Sequence, residues 1–313
     1  MDFASSTQRK KWLFTTDTLT NEREQVRQIY LAQFKAAIPN INTDVDLISP
    51  LEESGLLRHY QEKIVAVSVN LKLPRKVLST SINFLKRFYI KRSCFEYDPQ
   101  QMVLVCLYLA CKAEDCYISA AELGRLVGVP ADLLLKLELV LLQGIEFDLQ
   151  IHSMYRAVEG CLLDFTEWID KKAVLNKEAS ESLKAAVNLA ADRILLSDAP
   201  LLFTPGQLGL SALYSGVVKT HPEFCNRKGD NSEFKSYLEH VGKDHSGGVQ
   251  SAAAAAAAAA VDLLKTIEAV EGIANESGEF LQHEEVVGID KKLKSFRKKI
   301  AVLAAGKGKK NKA

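Results

Sequence analysis

The chain repeats itself once, at a single offset of 106 residues. Phe84-Leu-Lys-Arg-Phe followed by Asp98-Pro-Gln-Gln-Met-Val-Leu-Val-Cys-Leu-Tyr-Leu-Ala returns as Ala190-Ala-Asp-Arg-Ile followed by Thr204-Pro-Gly-Gln-Leu-Gly-Leu-Ser-Ala-Leu-Tyr-Ser-Gly. Arg87 pairs with Arg193 and Pro99 with Pro205, while Gln101, Leu104, Leu107 and Tyr108 pair with Gln207, Leu210, Leu213 and Tyr214. No gap is needed across two helical stretches and their connection, so the repeat marks a duplicated structural unit. Its period is far longer than the units of a many-turn solenoid, which leaves two tandem helical domains. Any residue kept in only one copy is then a candidate for function.

With 313 residues, 47% of them hydrophobic, the chain can build two separate cores. Its formal charge of +1 gives no global reason to expect nucleic-acid binding. The balance is local, because Lys291 to Ala313 holds ten Lys or Arg and no acid. Such a run is a solvated tail, or in a sharper reading an import signal or a weak polyanion contact. The six cysteines, Cys94, Cys106, Cys111, Cys116, Cys161 and Cys225, form no C-x-x-C pair. They read as small hydrophobes in a reducing compartment, with neither disulfide nor metal implied. The first residues lack a signal-peptide core and no 18-residue apolar run follows, as expected of an intracellular soluble protein.

Residues 1–50 read as an N-terminal extension with one amphipathic helix over Thr20 to Ala37. Trp12 and Phe14 sit among Arg9, Lys10 and Lys11, and aromatics in so polar an arm bury either on the protein's own body or on a partner. Residues 51–152 hold five helical patterns. Pro50 or Glu52 opens the first, Pro74 the second, and Asp98 caps the third with Pro99 at its first position. Ser119 and Glu122 set a capping box for the fourth, and Pro130 opens the fifth, which Gly144 ends. Met102 to Cys111 is apolar almost all round and should be the buried axis. A second unit over 153–245 repeats the logic: His152-Ser153 caps a helix, Lys177 to Leu196 forms a long one, and Thr204, Pro205 and Gln207 cap a second buried one. Residues 246–313 read as a low-complexity extension. Its nine alanines, Ala252 to Ala260, continue as a helix to about Glu271, and a last amphipathic helix spans Asp290 to Leu303. The expected fold class is all-α, with two tandem five-helix domains and helical extensions at both ends.

No catalytic constellation stands out, and no metal or cofactor is implied. Gly306-Lys-Gly-Lys-Lys lacks the spacing of a phosphate loop, His283-Glu-Glu-Val-Val has no second histidine, and His221 with Cys225 has no further ligand nearby. The copies differ at two informative places. Copy one reads Ala110-Cys-Lys-Ala-Glu-Asp where copy two reads Gly216-Val-Val-Lys, so Val218 replaces Lys112. Glu138 stands among Leu133, Leu134, Leu135, Leu137, Leu139, Val140, Leu141 and Leu142, where a carboxylate is costly unless exposed or paired. From the residues alone the blander reading leads: Lys112 favours a helix C-terminus, and Glu138 shares an exposed strip with Lys136.

At these residues the sequence resembles the cyclins. A cyclin's first box carries an apolar helix ending Leu-Ala-x-Lys-x-Glu-Glu/Asp, here Leu109-Ala-Cys-Lys112-Ala-Glu114-Asp115, and a glutamate, here Glu138, ahead of Phe147-Asp148-Leu149. Within the family the likeness is greatest to the cyclin H group. It rests on Ser6-Thr-Gln-Arg-Lys-Lys-Trp12-Leu-Phe14, Phe84 to Tyr89, Glu96-Tyr-Asp-Pro, His152 to Gly160 and Leu201 to Leu208. The glycine-rich linker and alanine run depart from the family, and Leu56-Leu-Arg-His-Tyr departs from the substrate-docking patch of cell-cycle cyclins.

The resemblance implies two five-helix boxes and a non-enzymatic regulator of a cyclin-dependent kinase. Lys112 and Glu138 would hydrogen-bond backbone near the kinase's regulatory helix across an interface of ~2,000 Å² or more. The implied partners are a kinase of the CDK-activating type, a RING-finger assembly factor and transcription factor TFIIH, in the nucleus with the cytoplasm as the alternative, and without membrane, cofactor or direct nucleic-acid contact. The rival readings are another transcriptional cyclin (C, K or T type) and a nucleic-acid-binding protein like transcription factor IIB. The second would need a zinc ribbon and a basic face, and neither is visible.

Overall fold

The structure is a computed structural model that describes residues 2–37, 47–170, 176–225, 232–244, 252–276 and 283–310. Every regular element among the described residues is helical. A 3-10 turn (Phe3–Ser5) leads into α1 (Thr7–Lys11) and α2 (Thr16–Ala37). Then come α3 (Pro50–Asn70), α4 (Arg75–Lys91), α5 (Pro99–Ala113), α6 (Ala120–Val127) and α7 (Ala131–Gly144). The second half holds α8 (Met154–Asp170), α9 (Lys177–Leu196), the short α10 (Ala199–Leu202) and α11 (Pro205–Thr220). A 3-10 turn (Pro222–Phe224) precedes α12 (Ser232–Asp244), α13 (Ala252–Glu276) and α14 (His283–Lys310). The chain divides into two units, one of Met1–Ile151 with Glu279–Ala313 and the other of His152–Gly278.

In the first unit local chemistry sets the helix starts. Ser49 and Glu52 close a reciprocal capping box around Pro50 at the head of α3. Asp98 accepts from Gln100 N–H and Pro99 fills the first position of α5. At α6 only half of the expected box forms: Ser119 accepts from Glu122 N–H, and the helix ends on Gly128 in the left-handed conformation at φ 72°. The all-apolar α5 is the buried axis, packed against α3, α4 and α7 and inaccessible over most of Met102 to Cys111.

The last helix also belongs to this unit. Longer than the predicted Asp290–Leu303, α14 lays Val286, Ile289, Leu293 and Phe296 inward. The Phe296 ring meets Phe34 of α2 at 4.5 Å and Phe95 at 5.4 Å between centroids. Polar contacts fix its register: Tyr60 Oη donates to Asp290 at 2.7 Å, Lys292 pairs with Glu52 at 3.2 Å and Arg297 with Asp98 at 2.9 Å.

The second unit repeats the pattern around α11. Thr204 and Gln207 form the full capping box there, so the threonine is a helix cap, as its place before a buried helix implies. Phe165, Trp168, Phe234 and Tyr237 of α8 and α12 form an aromatic cluster, and Tyr237 Oη donates to Asp164 at 2.8 Å. The sequence reading closes this unit near 245 and leaves the alanine run outside it. The structure differs: α13 packs on α9, α11 and α12 and supplies the fifth long helix. Alanine carries no apolar pattern to read, yet its high helix propensity carries the helix on to Ile267, Val270 and Ala274, which are buried along with Ala260. The Lys243-to-Gly248 linker lies mostly outside the described residues. His221 and Cys225 flank the second 3-10 turn, and Cys225 is buried.

Candidate functional site

The two residues singled out from the repeat come together at one edge of the first unit. Lys112 lies in the last turn of α5 and Glu138 midway along α7, and Lys112 Nζ donates to Glu138 Oε1 at 2.5 Å. The Lys112 side chain is 40% exposed and Glu138 13%. Glu138 is therefore not part of a solvated strip; it is a largely covered carboxylate with a cation over it. The hydrogen bond from Lys112 to Glu138 raises the lysine's pKa, so Lys112 keeps its charge through the physiological range. Nζ also stands 5.2 Å from the Tyr108 ring centroid, in cation–π range.

Exposed apolar side chains lie on the same helix as Glu138 and just beyond the ends of α5 and α7. On α7 the inward stripe is Leu134 and Leu141, one residue from Leu135 and two from Leu139, which point out and are 50% and 55% exposed. Tyr117, beyond the end of α5, is 80% exposed and near enough for its oxygen to act on the Lys112 charge. Phe147, after α7, is 59% exposed. The signal available in the sequence was that eight apolar residues crowd around Glu138, more than one buried stripe can use.

Trp12 and Phe14 have different fates. Trp12 is buried in the chain's own fold, which removes it as a partner contact. Its Nε1 donates to Asp148 at 2.9 Å, and its ring lies over the Arg87 guanidinium, 5.0 Å from centroid to Cζ. Phe14 is half-buried and stays available. Arg87 itself donates to Asp148 O at 2.9 Å; burial lowers its pKa to about 9 and the Asp148 carboxylate pulls the other way, so it stays charged at neutral pH. Lys11 completes the clamp by pairing with Glu146 at 3.2 Å and Asp148 at 3.3 Å. It closes over a strained turn: Glu146 and Phe147 both sit left-handed, at φ 54° and 57°. The clamp thus holds the turn that presents Phe147 outward.

The repeated arginine does parallel work in the second unit. Arg193 donates to Ser215 at 3.1 Å and to Glu271 at 2.5 Å, and also bonds Asn275, tying α13 to the repeat core. Val218, at the place of Lys112, is half-buried and apolar. Among the described residues no three His, Cys, Asp or Glu side chains gather to hold a metal, and no helix is long and apolar enough to cross a membrane.

Comparison with known proteins agrees with this organisation. Residues 47–150 match the family model "Cyclin, N-terminal domain" and residues 153–275 match "Cyclin C-terminal domain". Cyclin-H1-1 of Arabidopsis thaliana is 32% identical over 235 residues, covering 68% of this chain and 69% of the relative. Cyclin-H of Xenopus laevis is 29% identical over 255 residues, covering 75% and 76%. Among solved structures, a chain of the CAK complex from Chaetomium thermophilum bound to ATP-gamma-S superposes with a TM-score of 0.73 at 22% identity, covering 93% of this chain and 88% of that one. A chain of the yeast TFIIK (Kin28/Ccl1/Tfb3) complex gives 0.66 at 22% identity, covering 87% and 100%. At such identities the structural likeness is one of fold.

Proposed function

This chain belongs to the cyclin family, with the cyclin H proteins among its relatives, and on that premise we propose that it is the regulatory subunit of a CDK-activating kinase. The observation that carries the site is the Lys112–Glu138 pair, with exposed apolar side chains on the same helix and beyond the ends of α5 and α7. A partly exposed ion pair contributes about 0–1 kcal/mol to a fold. Exposed Leu135, Leu139, Tyr117 and Phe147 contribute even less, so folding alone does not account for the arrangement. An interface with a buried apolar centre and a few fixed polar anchors does account for it.

In this reading Lys112 has three donors, of which Glu138 occupies one, and the others face a backbone carbonyl of the kinase. Glu138 orients Lys112 and accepts from a kinase amide. The exposed apolar side chains pack against the kinase's movable helix and shift a two-state element toward its active position. The chain supplies no catalytic group; the kinase does the phosphoryl transfer. Its setting is nuclear, in association with TFIIH and with a RING-finger assembly factor as third subunit. The substrates are kinase activation loops and the RNA polymerase II tail.

The test is capture of the kinase by the purified chain. Lys112→Ala combined with Glu138→Ala should weaken capture roughly 30-fold or more, the effect of losing an interface hot spot, with an unchanged circular dichroism spectrum. Undiminished capture would remove the assignment of these residues. Co-purification of a kinase with a RING protein from the native cell tests the subclass.

A further inference from the structure

The end of α5 brings two thiols together beside the proposed kinase contact. Glu114 N–H still reaches Ala110 O at 3.0 Å, Asp115 then turns left-handed at φ 55°, and Cys116 N–H returns to Cys111 O at 2.8 Å. This closure brings together the side chain three residues inside the helix end and the one two beyond it, a contact usually made by apolar residues. Here the two are Cys111 and Cys116, both free, and their thiols share a hydrogen bond. Cys111 is buried, Cys116 is half-exposed, and Lys112 lies between them in the chain.

We propose that Cys111 and Cys116 are a reversible redox pair, whose disulfide locks the turn that ends α5 beside Lys112 and so weakens kinase binding. The effect on binding rests on the function proposed above; the disulfide itself does not. A disulfide spans α-carbons about 4.4–6.8 Å apart, and a direct backbone hydrogen bond between the two residues already holds them close. Of the other four cysteines, Cys94, Cys106 and Cys225 are buried, and Cys161 is on α8 of the other unit. Disulfides in reducing compartments, where they occur, are chiefly transient and redox-sensing.

With hydrogen peroxide as oxidant the chemistry balances in two steps. The Cys116 thiolate attacks the O–O bond, giving a sulfenic acid and, after proton transfer, one water. The Cys111 thiolate then attacks the Cys116 sulfur and displaces hydroxide, which leaves as the second water. Two thiols and one peroxide become one disulfide and two waters. Accessibility sets the order, since only Cys116 meets solvent. Burial, and to a lesser degree the neighbouring Cys116, push the Cys111 thiol up to about 12, so the second step should quicken as pH rises.

Lys112 makes the bond easy to detect, because trypsin cuts between the two cysteines. In the full chain treated with peroxide, the two flanking tryptic peptides should stay joined and separate on adding dithiothreitol. Kinase capture should fall on oxidation and return on reduction, and Cys116→Ser should capture kinase equally before and after peroxide. Absence of joined peptides, or a Cys116→Ser chain as peroxide-sensitive as the parent, would overturn the proposal. A reduced chain that captures no kinase would refute the function and the regulatory half together, while peptides joined in the parent and not in Cys111→Ser would still establish the redox pair.

Discussion

Arg87 and Asp148 show how much of the site one buried charge organises. Arg87 is 1% exposed, and its enclosure is tolerable because Trp12 lies on one face and the Asp148 carbonyl accepts from its edge. Burial pushes the Asp148 pKa up, but hydrogen bonds from Trp12 and Lys11 outweigh it, and the carboxyl titrates below its usual range. Its folded pKa lies below the unfolded value of about 3.9, so its contribution to stability is complete above that value and disappears as pH falls through the folded pKa. Urea unfolding as a function of pH should therefore show Asp148→Asn less stable than the parent above about pH 5, with the gap closing below about pH 4. A gap independent of pH would mean that the carboxylate charge is not what holds the clamp. The sequence supplied both aromatics and both possible destinations, the body or a partner. The contact itself was not legible, because Arg87 and Asp148 meet Trp12 only after α4 and α7 are in place.

At the scale of elements, the duplicated helices α5 and α11 were the most legible, since proline, cap and apolar run repeat at one offset. Where the copies diverge, packing explains one change. Gly216 replaces Ala110, and a Cβ there would sit 2.3 Å from Val187 Cγ2 and 2.9 Å from the Val187 backbone nitrogen. Helices α9 and α11 approach too closely for a methyl group. Gly216→Ala should destabilise the second unit by about 1–3 kcal/mol through overpacking, despite its higher helix propensity. A melting temperature equal to or above the parent's would contradict that. The domain boundary at α13 was not legible for the opposite reason: a run of one small residue has no periodicity. Its partners declare themselves only through Ile267 and Val270 downstream and through the Glu271 link to Arg193. The Lys112–Glu138 pair lies between these cases. Its residue types were legible, but the contact needed the packing of α5 on α7.

Across the whole molecule the first unit is discontinuous: the chain leaves it after α7, builds the second unit, and comes back as α14. Phe296 then closes the aromatic group of Phe34 and Phe95, and Asp290 satisfies Tyr60. A chain ending at residue 282 should bind a hydrophobic dye more strongly and melt at lower temperature, and a peptide of residues 283–310 should reverse both changes. Dye binding equal to that of the full chain would show that this surface closes without α14. The return also orders synthesis in time. The second unit emerges as a contiguous stretch and can fold at once, whereas the first must wait with its aromatic surface open until α14 has been made. Nascent or prematurely terminated chains would leave Phe34 and Phe95 without the ring that covers them, and the first unit is completed only when translation has passed the second.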